Sequence, residues 1–149
     1  FEQSPWIVAD VAQARPFPSC TSLHDALVAV IERAGTERQV ALIRAHPDLV
    51  GRAALAGTLT RESTGEQLAA GLDPGRLTPD DIMRFQELNA AYQSRFGFPF
   101  VICAREHTKE TILAAFAARV ANDRATEIAT ALTEIGNICW YRLNDVVQC

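Results

Sequence analysis

Apolar residues return at helical spacing along almost the whole chain, and polar caps with Gly or Pro stops bracket each stretch, so the sequence is constrained to pack as helices. Ser4 and Pro5 supply an N-cap and an N1 proline for a first helix to about residue 14, stopped by Pro16. Ser22 precedes Leu23, Leu27, Val30 and Ile31, a stripe closed by Gly35. Thr36 and Gln39 have capping-box spacing for a third helix, which carries Val40 and Ile43 and reaches the region of His46. Thr78 and Pro79 open the longest amphipathic stretch, with Ile82, Phe85, Leu88, Tyr92 and Phe96 near one side and Gly97 as the stop. Thr108 opens a helix carrying Ile112, Leu113, Phe116 and Val120, and Asp123 opens one carrying Ile128, Leu132, Ile135 and Cys139. Only 98–103, interrupted by Pro99, reads as extended chain, and alone it implies no sheet. The pattern predicts an all-α fold, one compact domain over 1–149 with six to eight irregularly packed helices.

A chain of 149 residues can bury roughly two thirds of the surface its unfolded form exposes. Its 48% hydrophobic content contains no run of about eighteen apolar residues and no basic-then-apolar start, so a soluble, cytoplasmic protein with no membrane span is expected. A net charge of -4 disfavours a nucleic-acid surface, which needs a dense basic face, and points to small-molecule partners. Cys20, Cys103, Cys139 and Cys149 lie far apart without C-x-x-C spacing, which suits reduced structural thiols. The one lysine, Lys109, sits in a polar helix start and is a poor Schiff-base candidate, which disfavours pyridoxal phosphate. No H-E-x-x-H, phosphate loop or G-x-S-x-G elbow is present, and no metal site is expected.

Four places could carry chemistry. His46 precedes Pro47, which should break the helix and project the imidazole from its end; the ring is then either a proton carrier or a helix-terminating group bonded to the last carbonyls. Ser63, Thr64, Gly65, Glu66 and Gln67 have capping-box spacing, and the same helix start could instead bind a carboxylate. Phe98, Pro99, Phe100, Val101 and Ile102 are core by composition, but a proline-broken segment also leaves backbone groups that a flat heterocyclic amide could pair. Arg142 occupies the next apolar position of the last helix's stripe and must be paired either with a protein carboxylate or with one from a ligand. His24 and His107, in polar helix starts, read as surface residues.

Together and in order, FEQSPW, AHPDLVGR, ESTGEQLAAGL, FQELNAAYQSRFGFPFVI and YRLNDVV resemble the 2-oxo-4-hydroxy-4-carboxy-5-ureidoimidazoline (OHCU) decarboxylase family almost from end to end. The resemblance implies an all-helical, usually homodimeric enzyme without a cofactor, converting OHCU to (S)-allantoin and CO2 in urate degradation. It also implies functional coupling to a 5-hydroxyisourate hydrolase. It places the catalytic histidine at His46 with Glu66 as its acidic partner. Pro47, residues Ser63 to Gln67 and Phe98 to Ile102 then contact substrate, with Arg142 a further contact. A noncatalytic helical interaction module is the alternative, and a zinc hydrolase is disfavoured because His46 has no second histidine ligand nearby in the sequence.

Overall fold

The computed structural model describes residues 1–148. Among the described residues eight α-helices follow one another: α1 (Pro5–Ala12), α2 (Cys20–Arg33), α3 (Thr36–Arg44), α4 (Arg52–Leu55), α5 (Arg61–Ala69), α6 (Pro79–Phe96), α7 (Lys109–Arg119) and α8 (Arg124–Val146). A short 3-10 turn, Ala104–Glu106, precedes α7, and no strand occurs among the described residues. The all-α expectation is met. No helix among the described residues is long and apolar enough to cross a membrane.

The caps show why the helices begin where they do. Thr78, Thr108 and Asp123 each accept a hydrogen bond from the backbone N–H three residues on, as their spacing predicts. Gly97 ends α6 at φ 76°, a left-handed backbone that only glycine takes without strain. Other caps differ from the reading above: Ser4 precedes α1 but makes no side-chain cap hydrogen bond. Helix α2 starts at Ser19 rather than Ser22, with the two serines forming a reciprocal box. Gly35, not Thr36, precedes α3, and the Gln39 amide instead donates 3.1 Å to the Ile31 carbonyl at the end of α2. A side chain that could cap its own helix thus satisfies a neighbouring one.

Helix α8 is the axis of the domain, packing against α2 and α3 while α1 covers α2. Starting α2 at Cys20 puts His24 on the face shared with Val28 and Ile31. The ring is therefore half-buried, donating from Nε2 to the Gly136 carbonyl at 2.9 Å with its edge against Trp140, rather than at the surface. His107 sits at the start of α7 beside Thr111. Lys109 pairs with Asp81 at 3.1 Å, which commits its ammonium to a structural bridge between α7 and α6.

On the far side of α8, Tyr92 makes ring contacts with Phe96, Phe98, Phe100 and Phe116, and all five rings are buried. Cys103 and Cys139 are buried free thiols, pushed up to about 12 and about 11 by desolvation. Cys20 is disulfide-bonded and so departs from the expectation of reduced thiols throughout.

Candidate active site

Five pieces of chain meet at one end of α8: the residues around Glu2, the loop after α3, one face of α5, the extended segment 98–103 and Arg142. The central interaction is a fork. Arg142 donates from Nε to Glu66 Oε1 at 2.7 Å and from Nη2 to Glu66 Oε2 at 2.9 Å, and Nη2 also reaches Glu2 Oε1 at 3.0 Å. Of the two readings left open for this arginine, pairing with the protein is the one realised. Its Nη1 amine makes no hydrogen bond to any described residue, which leaves it as a donor for an anion.

Glu2 was not singled out from sequence. Its Oε1 accepts from Ser63 Oγ at 2.8 Å and from Thr60 Oγ1 at 3.2 Å as well as from Arg142, and the residue is 6% exposed. Burial alone would raise its pKa, but the Ser63 hydrogen bond and the Arg142 charge outweigh burial and hold it below the ordinary carboxylate value. Only the motif FEQSPW pointed here, and it offered no spacing argument for a carboxylate so far from its partners in the chain.

Helix α5 begins earlier than the Ser63 to Glu66 spacing suggests. Thr60 is its N-cap and takes the Ser63 N–H at 3.2 Å, so Ser63 stands at the third helical position and Glu66 is no capping partner. The S-x-x-E pattern instead places Ser63, Glu66 and Gln67 on one buried face at i, i+3 and i+4. Thr64 and Gly65 fall on the opposite, exposed face and do not reach the site.

His46 lies just past α3, where the His-Pro pair breaks the helix as expected. Its Nδ1 is 2.9 Å from the Leu42 carbonyl, which can only accept, so Nδ1 carries the proton and Nε2 is left as an acceptor. The two readings of this histidine coincide: bonding the last turn is what orients the ring. Burial, partly opposed by the Leu42 hydrogen bond, lowers its pKa to about 4, well below the ordinary imidazole value of 6.5. His46 is therefore a neutral base at physiological pH. Among the described residues it makes no hydrogen bond to Glu66, so a backbone carbonyl rather than that carboxylate sets its tautomer.

The loop that follows is held under strain. Buried Val50 has φ 50°, a left-handed conformation that costs a β-branched residue about 1–3 kcal/mol. Two side chains hold it there: Gln67 Oε1 accepts the Val50 N–H at 3.0 Å, and Asn89 Nδ2 donates to the Leu49 carbonyl at 2.9 Å. Gly51 is required for closure, since a Cβ there would lie 2.6 Å from the Asp48 Cβ. Gln67 thus spends its oxygen on the protein, and its Nε2 makes only a long 3.4 Å contact with the Asp48 carbonyl.

A small, half-open cavity of about 30 Å³ is lined by His46, Pro47, Ser63, Glu66, Gln67, Phe100, Val101, Ile102 and Arg142, together with Leu49, Ala104 and Ile138. Four residues expected at the substrate are absent from this lining. Thr64 and Gly65 point away, Phe98 is locked in the aromatic core, and Pro99 lines an open groove of about 1100 Å³ on the other side of His46 and Pro47. Among the described residues no cluster of three or more His, Cys, Asp or Glu is arranged to hold a metal ion.

Comparison with known proteins adds to this geometry. Residues 1–144 match the OHCU decarboxylase family. The OHCU decarboxylase of Amia calva is 43% identical over 148 residues, covering 99% of this chain and 83% of that one. The uric acid degradation bifunctional protein PucL of Bacillus subtilis is 38% identical over 147 residues, 99% of this chain but 28% of that protein. A crystal structure of (S)-allantoin synthase superimposes with a TM-score of 0.75 at 27% identity, covering 97% of this chain and 46% of that one.

The His46 assignment makes a direct prediction. Its ring, followed by NMR, should stay neutral with the proton on Nδ1 as pH falls to 5 and titrate near 4; a midpoint near 6.5 would contradict it. Because the folded value is depressed, stability against urea should decline as pH drops from about 6.5 toward 4, where only the unfolded chain takes up this proton.

Proposed function

The chain belongs to the OHCU decarboxylase family, and on that premise we propose that it decarboxylates OHCU in urate degradation, with His46 as a neutral proton relay. The observation that carries this reading is the buried His46 ring, fixed at Nδ1 and free at Nε2, in a cavity shared with Arg142 and the 100–102 backbone.

The substrate's chemistry needs little more. The hydroxyl and the carboxylate share one carbon, and loss of CO2 leaves an electron pair that forms a double bond to the ureido-bearing carbon while the adjacent C=N bond passes its pair to nitrogen. One proton from solvent neutralises that nitrogen. The resulting enol then loses its O–H proton as the ureido-bearing carbon gains one, giving allantoin. A neutral imidazole can take the O–H proton at Nε2 and hand it to carbon, and an imidazolium with a pKa of about 4 is acidic enough to release it readily. The substrate supplies its own electron sink, so this reading assigns no cofactor.

The remaining groups bind and orient. Arg142 Nη1 is the donor for the departing carboxylate, and Glu66 and Glu2 hold that guanidinium in place. The N–H groups of Val101 and Ile102 and the carbonyls of Phe100 and Ile102 make no hydrogen bond to any described residue, and they suit the ring and ureido amides. Proton delivery from one side of a clamped ring yields one enantiomer, (S)-allantoin. The cavity is small and half-open, and His46 and Pro47 also line the open groove of about 1100 Å³ beside it.

The whole chain 1–149 acts as one domain in this reading, as one protomer of a homodimer. Coupling to a 5-hydroxyisourate hydrolase belongs to it too, and the Bacillus subtilis relative, a bifunctional protein of uric acid degradation, supports a link to a second activity. Sedimentation showing only a 16.3 kDa species at micromolar concentration would contradict the homodimer.

With OHCU generated in place from urate, His46→Ala should fold normally and lose turnover by about 100-fold or more, the scale of a positioned acid-base group. Near-normal turnover in a folded His46→Ala protein would contradict the assignment.

A further inference from the structure

Behind segment 98–103, on the side away from His46, lies a buried charged network that the reaction outlined above does not use. Arg119, the last residue of α7, donates from Nε to Glu127 Oε1 at 2.9 Å. Glu127, in the first turn of α8, is 0% exposed and also accepts from Asn122 Nδ2 at 3.0 Å and from the Tyr92 hydroxyl. The other arm of the guanidinium, Nη1, donates to the Val101 carbonyl at 2.8 Å, and its plane lies over the Phe100 ring, 4.3 Å from the centroid. Phe100 in turn stacks on Phe116 at 3.7 Å.

The consequence follows from peptide geometry. The Val101 carbonyl and the Ile102 N–H belong to one planar trans unit and point in opposite directions. A guanidinium that holds the carbonyl on the core side therefore aims the Ile102 N–H the other way, and Ile102 lines the cavity with His46, Glu66 and Arg142. That N–H has no hydrogen-bond partner among the described residues.

Stability alone is a weak account of such a pair. Burying two ions costs several kcal/mol each, and well-packed apolar replacements are often neutral or stabilising. A planar fork that meets a carboxylate with one arm and a carbonyl with another does what an apolar group cannot, which is to fix a direction. We propose that Arg119, held by Glu127, is a positioning residue for the decarboxylation: it sets the peptide plane that presents the Ile102 N–H to the substrate atom gaining charge as CO2 leaves. This inference rests on the functional reading above and adds a residue that does not touch the substrate.

The test removes the network without leaving a lone buried charge, using the triple variant Arg119→Met, Glu127→Leu and Tyr92→Phe, with Tyr92→Phe alone as the control that keeps Arg119 on Val101. The triple variant should fold by far-UV circular dichroism and urea titration, keep KM within about threefold and lose at least about tenfold in kcat. That loss is the low end for a misaligned transition-state donor. Its product should also contain more of the minor enantiomer, and the control should stay within about threefold of the parent in kcat. Arg119→Lys keeps the cation against Glu127 but not the fork, and should lose kcat in the same way. A folded triple variant or Arg119→Lys protein with parental kcat and enantiomer ratio overturns the proposal, and so does failure of both to fold, which would assign the pair to stability alone. A parent protein that does not turn over OHCU would instead sink the functional reading.

Discussion

The site depends on Arg142, because one guanidinium joins the chain near Glu2, helix α5 through Glu66, and helix α8. Its two-pronged bond to Glu66, with the further bond to Glu2, gives two buried acidic side chains hydrogen-bond partners that water cannot supply there. Removing either side leaves an unpaired buried ion, typically a loss of about 3–5 kcal/mol, whereas the intact cluster contributes little net stability. Its value is geometric. It holds Ser63, Glu66 and Gln67 against the cavity, and Nη1 of Arg142 makes no hydrogen bond to any described residue.

A second constraint is that His46 and the 100–102 backbone, both proposed to meet substrate, lie on irregular chain, which cannot hold its own shape. Side chains from surrounding helices do so instead. Around 98–103, Arg124 donates to the Phe96 carbonyl, Arg44 to that of Gly97 and Arg119 to that of Val101, while Glu134 accepts the Cys103 N–H at 2.8 Å. The 46–51 loop depends in the same way on Gln67 and Asn89. Both segments therefore behave as rigid inserts, and the strain at Val50 persists because neighbours over-determine it.

These arrangements mark the boundary of what the sequence makes legible. Helices α6, α7 and α8 could be read at their caps because Thr78, Thr108 and Asp123 act on backbone three residues away. Two members of the candidate site, His46 and Arg142, are legible as anomalies, a histidine at a forced helix break and an arginine on an apolar stripe. Glu2, Asn89 and Arg119 were not, since their partners lie 140, 40 and 18 positions away and no local pattern encodes such pairings. Ser63 and Glu66 show the reverse error. Their spacing fits a capping box and a buried helical face equally well, and only the Thr60 cap three residues earlier decides between them. Thr64 and Gly65 lie inside the family-derived contact range, but helical periodicity turns them to solvent. The lowered pKa of His46 is illegible for a related reason, because burial is a property of the assembled cavity and not of the motif.

The central claim is that a fixed, neutral His46 hands a proton to one face of a clamped intermediate. Its most direct test is the circular dichroism of allantoin formed by the parent protein from freshly generated OHCU, read while enzymatic turnover outruns both spontaneous decay and racemisation. A single enantiomer, (S)-allantoin, is predicted. A racemic product under those conditions would contradict the claim, even if release of CO2 were accelerated.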